Sequence, residues 1–156
     1  MNGKTLIAIM FGIPAIAGIA MYYLQVYAYY EKVPPEDLDI SLISAVSGGS
    51  EIIPVDDIQA IDSNSSPLRF RACFTTRLSQ AELNEAFVIY DDPTPLTAPG
   101  WFDCFEAETV GLALENDAAV AYLSQTDIHD GVDRVVAVFP DGRAYAWHQL
   151  NEKYAD

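Results

Sequence analysis

At 156 residues, 51% of them hydrophobic and 12% aromatic, the chain is sized for one ordinary domain or a smaller domain with an appendage, and is too rich in core-forming side chains to be disordered. Its 23 acids against 8 bases give a net charge of −15, which repels a phosphate backbone and excludes nucleic acid as a partner. The mean hydropathy of +0.11 averages two unlike parts. Residues 1–30 hold no acid and a single base, Lys4, so the whole acid excess falls on the remainder.

From Thr5 to Tyr30 no residue is charged, and Ile, Ala, Leu, Met, Phe and Tyr dominate. A helix of about 20 such residues spans the hydrocarbon core of a bilayer. Tyr22, Tyr23, Tyr27, Tyr29 and Tyr30 collect at the far end, where amphipathic rings favour the headgroup layer, and Glu31 ends the run. Residues 1–30 are therefore expected to be a transmembrane helix that Pro14 bends. A base before the span and acids after it set the N-terminus in the cytoplasm and the C-terminal domain in the periplasm of a bacterial inner membrane. The rival is a cleaved signal peptide with Gly18-Ile19-Ala20 as the cleavage site; the apolar run continuing through Tyr27 favours the anchor. Ala8, Gly12, Ala15 and Gly18 recur at three- and four-residue spacing and can form a flat helix-packing face, although small residues are also common in such spans.

Beyond the span, Val33-Pro34-Pro35-Glu36-Asp37 reads as a stiff spacer over residues 31–37, with the acidic domain at 38–156. Leu38–Ser44 begins with strand alternation, Ser47-Gly48-Gly49-Ser50 breaks it, and Ile52–Val55 resumes an extended piece. After the turn at Asp62–Pro67, the run Leu68–Thr75 puts Leu68, Phe70, Ala72 and Phe74 on one strand face and Arg69, Arg71 and Cys73 on the other. Ser79-Gln80-Ala81-Glu82 has capping-box spacing and opens a helix ending near Glu85 or Ala86. Phe87–Tyr90 is a short strand, the proline-rich Asp92–Gly100 a loop, Ala107–Asn116 a second helix and Ala118–Ser124 a strand. Arg134–Phe139 and Ala144–Leu150 flank Pro140-Asp141-Gly142-Arg143 as a hairpin. The predicted class is α+β: one N-terminal transmembrane helix, then a small, mostly antiparallel sheet with two short helices.

Cys73 and Cys104 are 31 positions apart, and in an oxidising compartment they most simply form one disulfide; free thiols and a copper site are the alternatives. Asp127-Ile128-His129-Asp130-Gly131-Val132-Asp133 concentrates carboxylates and an imidazole, either as a cation site or as a solvated turn, and its glycine comes too early for a calcium loop. No Gly-x-Ser-x-Gly, phosphate-binding glycine loop or paired Cys-x-x-Cys is present, and His148 lacks a sequence-evident nucleophile beside it. The reading is of no enzyme, no cofactor and no resident metal. Trp101, Phe102 and Phe105, gathered beside Pro99-Gly100, either pack around the disulfide or form an exposed docking surface.

The chain resembles a family of short, uncharacterised single-pass membrane proteins of alphaproteobacteria with an acidic periplasmic domain. The resemblance rests on Tyr22-Tyr23-Leu24-Gln25-Val26-Tyr27, Arg69-Phe70-Arg71-Ala72-Cys73-Phe74, Ala98-Pro99-Gly100-Trp101-Phe102-Asp103-Cys104-Phe105, Asp133-Arg134-Val135-Val136-Ala137-Val138 and Trp147-His148-Gln149-Leu150-Asn151. It implies an envelope location and brings no activity. The expected role is a non-catalytic accessory subunit or assembly factor of an inner-membrane complex. Its partners would be the lipid bilayer, integral membrane proteins of the complex and, if the complex is respiratory, a basic soluble cytochrome c drawn by the acidic field. The alternative role is a singly anchored periplasmic ligand- or metal-binding module.

Overall fold

The computed structural model describes residues 2–154, which fall into two compact units that divide after Tyr30. In the first, α1 (Gly3–Tyr23) passes unbroken through Pro14 and continues as a π-turn, Leu24–Ala28, in which the Tyr29 N–H reaches back to the Leu24 carbonyl. Gly3–Ala28 is 26 residues long with a mean hydropathy of 2.0, long and apolar enough to cross a membrane. None of its residues is buried, and a Cβ placed on Gly12 or Gly18 would meet open space.

The second unit is built on a six-stranded antiparallel sheet in the order β1-β4-β5-β8-β7-β6, comprising β1 (Glu31–Val33), β4 (Asp56–Asp62), β5 (Arg71–Thr75), β6 (Val120–His129), β7 (Val132–Val138) and β8 (Arg143–Leu150). A separate hairpin pairs β2 (Ser41–Ile43) with β3 (Ser50–Ile52), and two short helices, α2 (Gln80–Ala86) and α3 (Ala107–Glu115), complete it. The α+β architecture read from the sequence is thus the observed one.

Both faces of the sheet are covered, which is why β5 and β7 are buried along almost their whole length. On one face Ala72, Phe74, Val136, Val138, Ala144 and Ala146 pack with Ile40, Leu42, Leu83 and Phe87, brought over the sheet by the small hairpin and α2. The opposite face carries Arg71, Cys73, Tyr145 and Trp147 under the loop that follows residue 90. Residues 86–90 stitch the small hairpin to the outer edge of β6: Ala45 and Val88 exchange backbone bonds across to Ala86 and Ile43, while Leu123 and Tyr90 do so with Val88 and Ala121. That stitching protects an edge that would otherwise lie open.

Several local signals are realised directly. The Ser79 hydroxyl accepts from the Glu82 N–H, and the Glu82 carboxylate accepts from the Ser79 N–H, closing the capping box of α2. At the β7–β8 turn Gly142 has φ +90°, and a Cβ there would lie 2.7 Å from the Thr76 carbonyl oxygen, so the turn needs glycine.

Other expectations need correction. The spacer at 31–37 is not free: Glu31, Lys32 and Val33 pair with Asp62, Ile61 and Ala60 as the edge strand β1, and Pro35–Asp37 is a 3-10 turn. β4 falls between the extended piece at Ile52–Val55 and the turn at Asp62–Pro67, where the Asp56-Asp57 pair has the composition of a solvated turn and hides the strand. Asp57 takes φ 53° and forms an irregularity between Asp56 and Gln59, beyond which pairing with β5 resumes. The strand expected from Leu68 begins only at Arg71, Phe87–Tyr90 makes isolated bridges instead of a strand, and β6 extends to His129.

Candidate functional site

Trp101, Phe102 and Phe105, read from the sequence as either disulfide packing or a docking surface, lie in a loop that is fastened to the sheet. Cys73 and Cys104 are joined in a disulfide with their Cα atoms 6.2 Å apart, tying the loop to β5. Phe102 and Phe105 are only 7% and 4% exposed, and Phe105 meets Tyr145 and Trp147 edge to face at 6.0 and 6.4 Å. They are core residues of the second sheet face and present no docking surface. Trp101 alone of the three remains half-buried, lining a mixed groove of about 500 Å³ with Lys32, Pro34, Pro35, Ile58, Phe102 and Asp103. Arg71, 3% exposed, locks the same loop: its guanidinium donates to the carbonyls of Leu96, Thr97, Leu68 and Phe70 at 2.6–3.1 Å.

His148 and Arg134 occupy the other sheet face. His148 is 1% exposed and stacks on Phe70 at 4.8 Å, while the Arg134 guanidinium lies 4.1 Å from the same ring centroid. The Pro67 carbonyl, 2.7 Å from Nδ1, can only accept, so Nδ1 carries the proton; Nε2 accepts from Arg134 Nε at 3.0 Å. Burial, reinforced by the Arg134 charge, pushes the imidazole down to about 3, so it is neutral at physiological pH. Both ring nitrogens are spent on structure, leaving neither for acid–base chemistry. His129 sits 6.1 Å away, edge to face.

The acidic segment around His129 is the β6–β7 turn, and its carboxylates are held by neighbours. Asp127 accepts from the Gly131 N–H and Asn151 Nδ2; Asp130 accepts from Lys153 and the Tyr154 hydroxyl, which hold its pKa below the usual carboxylate range. Tyr154 packs so closely on Gly131 that a Cβ there would fall 2.0 Å from its ring. Among the described residues no three His, Cys, Asp or Glu side chains converge as metal ligands.

A cleft of about 560 Å³ opens at this end of the sheet, bounded by residues 89–92, Thr94, Thr126, Asp133 and residues 149–153. Its floor is a closed hydrogen-bond network. Asp133, 5% exposed, accepts from the Tyr90 hydroxyl, the Asp127 N–H and Asn151 Nδ2 at 3.0–3.1 Å. Gln149 accepts from the Thr94 N–H and Trp147 Nε1 and donates to the Asp92 carbonyl. Burial and the Asp133 charge raise the Tyr90 phenol above its ordinary range, keeping it a donor. Ile89 and Leu150 form exposed apolar walls, and Asp91, Asp92, Glu152 and Lys153 stand at the rim. Sequence spacing could not reveal this cleft, since four separate segments meet there; the adjacent acids Asp91-Asp92 were its one visible trace.

Taken together, these features define a long apolar helix ahead of a disulfide-tied α+β unit whose buried polar groups serve the fold. Residues 40–156 match a family of unknown function (DUF6446), and the chain belongs to that family. No curated protein and no solved structure matches it.

Proposed function

We propose that the chain is a non-catalytic accessory subunit or assembly factor of a bacterial inner-membrane complex, with its N-terminus in the cytoplasm and its acidic unit in the periplasm. The observation that carries this reading is α1 itself. Ala8, Gly12, Ala15 and Gly18 lie within about a third of the helix circumference, at 100° per residue, and nothing within the described chain needs Gly12 or Gly18 to be small. In lipid such a face permits close approach by a second helix, which the proposal assigns to a partner protein, since Gly3–Ala28 is the one candidate span among the described residues. The orientation is supported by Lys4 before the span and by Glu31, Glu36 and Asp37 after it; the disulfide suits an oxidising compartment. The acid excess suits a host complex that works with a basic soluble partner such as a cytochrome c.

The test is a photo-reactive side chain placed at Gly12 or Ala15, and at Met10 or Ile13 on the opposite side, in the full chain in its native membrane. The proposal expects one discrete protein adduct from the small-residue face and none from the other. Equal labelling from both faces would contradict it.

The cleft beside Tyr90 favours a second reading, an anchored binding module, in which case a small molecule would stay with the detergent-purified monomer.

A further inference from the structure

The cleft's walls and rim are unlike each other. Ile89 is 51% exposed and Leu150 42%, two of the few large apolar side chains that the second unit shows to solvent. They face a volume of about 560 Å³, enough for one or two side chains and too open to shed water by itself. Around them, Asp91, Asp92 and Glu152 are exposed and form no ion pair among the described residues, whereas Lys153, the cation among the described rim residues, is bonded to Asp130. The floor beneath cannot adapt, because Asp133, Tyr90, Gln149 and Asn151 are fixed by one another and by the backbone. A rigid floor, two apolar walls and three uncompensated carboxylates fit one kind of occupant: an extended protein segment that alternates a basic with an aliphatic side chain. The aliphatic group would cover Ile89 and Leu150, and the guanidinium or ammonium would meet the rim.

We propose that this cleft is the docking site for a basic, aliphatic-containing segment of a partner protein. The inference rests on reading the acidic unit as a docking module and is independent of any lateral contact made by α1. It assigns the attraction to a place: the general field of a −15 chain speeds encounter with any cation, and this cleft adds apolar contact to charge.

The experiment uses the full chain in zwitterionic nanodiscs and two synthetic decapeptides of equal charge, one alternating Arg and Leu, the other alternating Arg and Gly. Binding is followed by calorimetry at moderate salt. The Arg-Leu peptide should bind about tenfold more tightly than the Arg-Gly peptide. The triple variant D91N/D92N/E152Q should weaken it about tenfold, whereas E36Q/D37N/E51Q, which removes the same charge from exposed positions elsewhere, should change it less than about twofold. Asparagine suits position 92, whose φ is +47°. Ile89→Ser should erase the Leu preference and leave Arg-Gly binding as it was. Equal weakening by the two triple variants, or equal binding of the two peptides, would overturn the proposal and reduce the attraction to bulk charge. Because no host complex is present, failure here is separable from failure of the helix contact.

Discussion

At the scale of single residues, the buried polar groups act as fasteners. His148 is the clearest, since its depressed pKa couples protonation to stability. The unfolded imidazole takes up a proton near pH 6.5 and the folded one only near 3, so between those values the unfolded state binds more protons and stability falls as the pH falls. The slope is about 1.4 kcal/mol per pH unit, and above pH 6.5 the contribution is fully present and constant. Replacing His148 with Gln should therefore flatten the acid limb of the stability curve relative to the parent, measured by urea unfolding from pH 7 to 4; parallel limbs would mean that His148 is protonated in the folded chain. Arg71 makes a simpler prediction. Arg71→Met removes charge-assisted bonds to four carbonyls and should lower stability by about 3 kcal/mol in the same assay, while a loss under about 0.5 kcal/mol would show the loop is held without it. Neither role was legible in the sequence. Arg71 was placed on the correct strand face, but alternation alone does not reveal that a loop 25 residues later covers that face and turns an exposed arginine into a buried one.

At the scale of elements, legibility followed the range of the forces involved. The capping box at Ser79–Glu82 and the β7–β8 hairpin around Pro140-Asp141-Gly142 are encoded within a few residues, and both stand where the sequence put them. β1 and β4 were missed for the opposite reason. A three-residue strand before two prolines has no local preference to announce it, and exists because Ile61 and Ala60 offer their edge; β4 starts in an aspartate pair whose left-handed Asp57 mimics a turn. The cysteine pairing was legible because only two cysteines exist, yet its use was not: it fastens the 91–105 loop over Trp147 and Tyr145, so the aromatic residues beside Cys104 are inside. Closing 31 positions of chain stabilises by about 3–4 kcal/mol in the chain-entropy picture. Cys73→Ser with Cys104→Ser should lose that amount and raise the proteolytic cleavage rate within residues 91–105 above that elsewhere. An unchanged digestion pattern would show that Arg71 and Phe105 suffice to hold the loop.

At the scale of the molecule, two units divide the labour by solvent. Residues 5–30 carry no charge and are mostly apolar, whereas the unit from Glu31 onward carries all the acids and completes its own core on both faces of one sheet. In the second unit the His148 imidazole, the Arg71 guanidinium and the buried Asp133 carboxylate are all committed to internal bonds. The candidate cleft lay beyond sequence reading because Ile89, Asp133 and Glu152 come together only once β6, β7 and β8 have paired. The proposal that the chain works as a subunit of a larger membrane assembly is checked by purifying the tagged full chain in mild detergent and measuring its stoichiometry with whatever accompanies it, beside the variant G12L/G18L. The expected result is a fixed ratio with one integral membrane complex, lost in the variant while the folded unit keeps its thermal midpoint. Recovery of the parent chain alone and monomeric would contradict it.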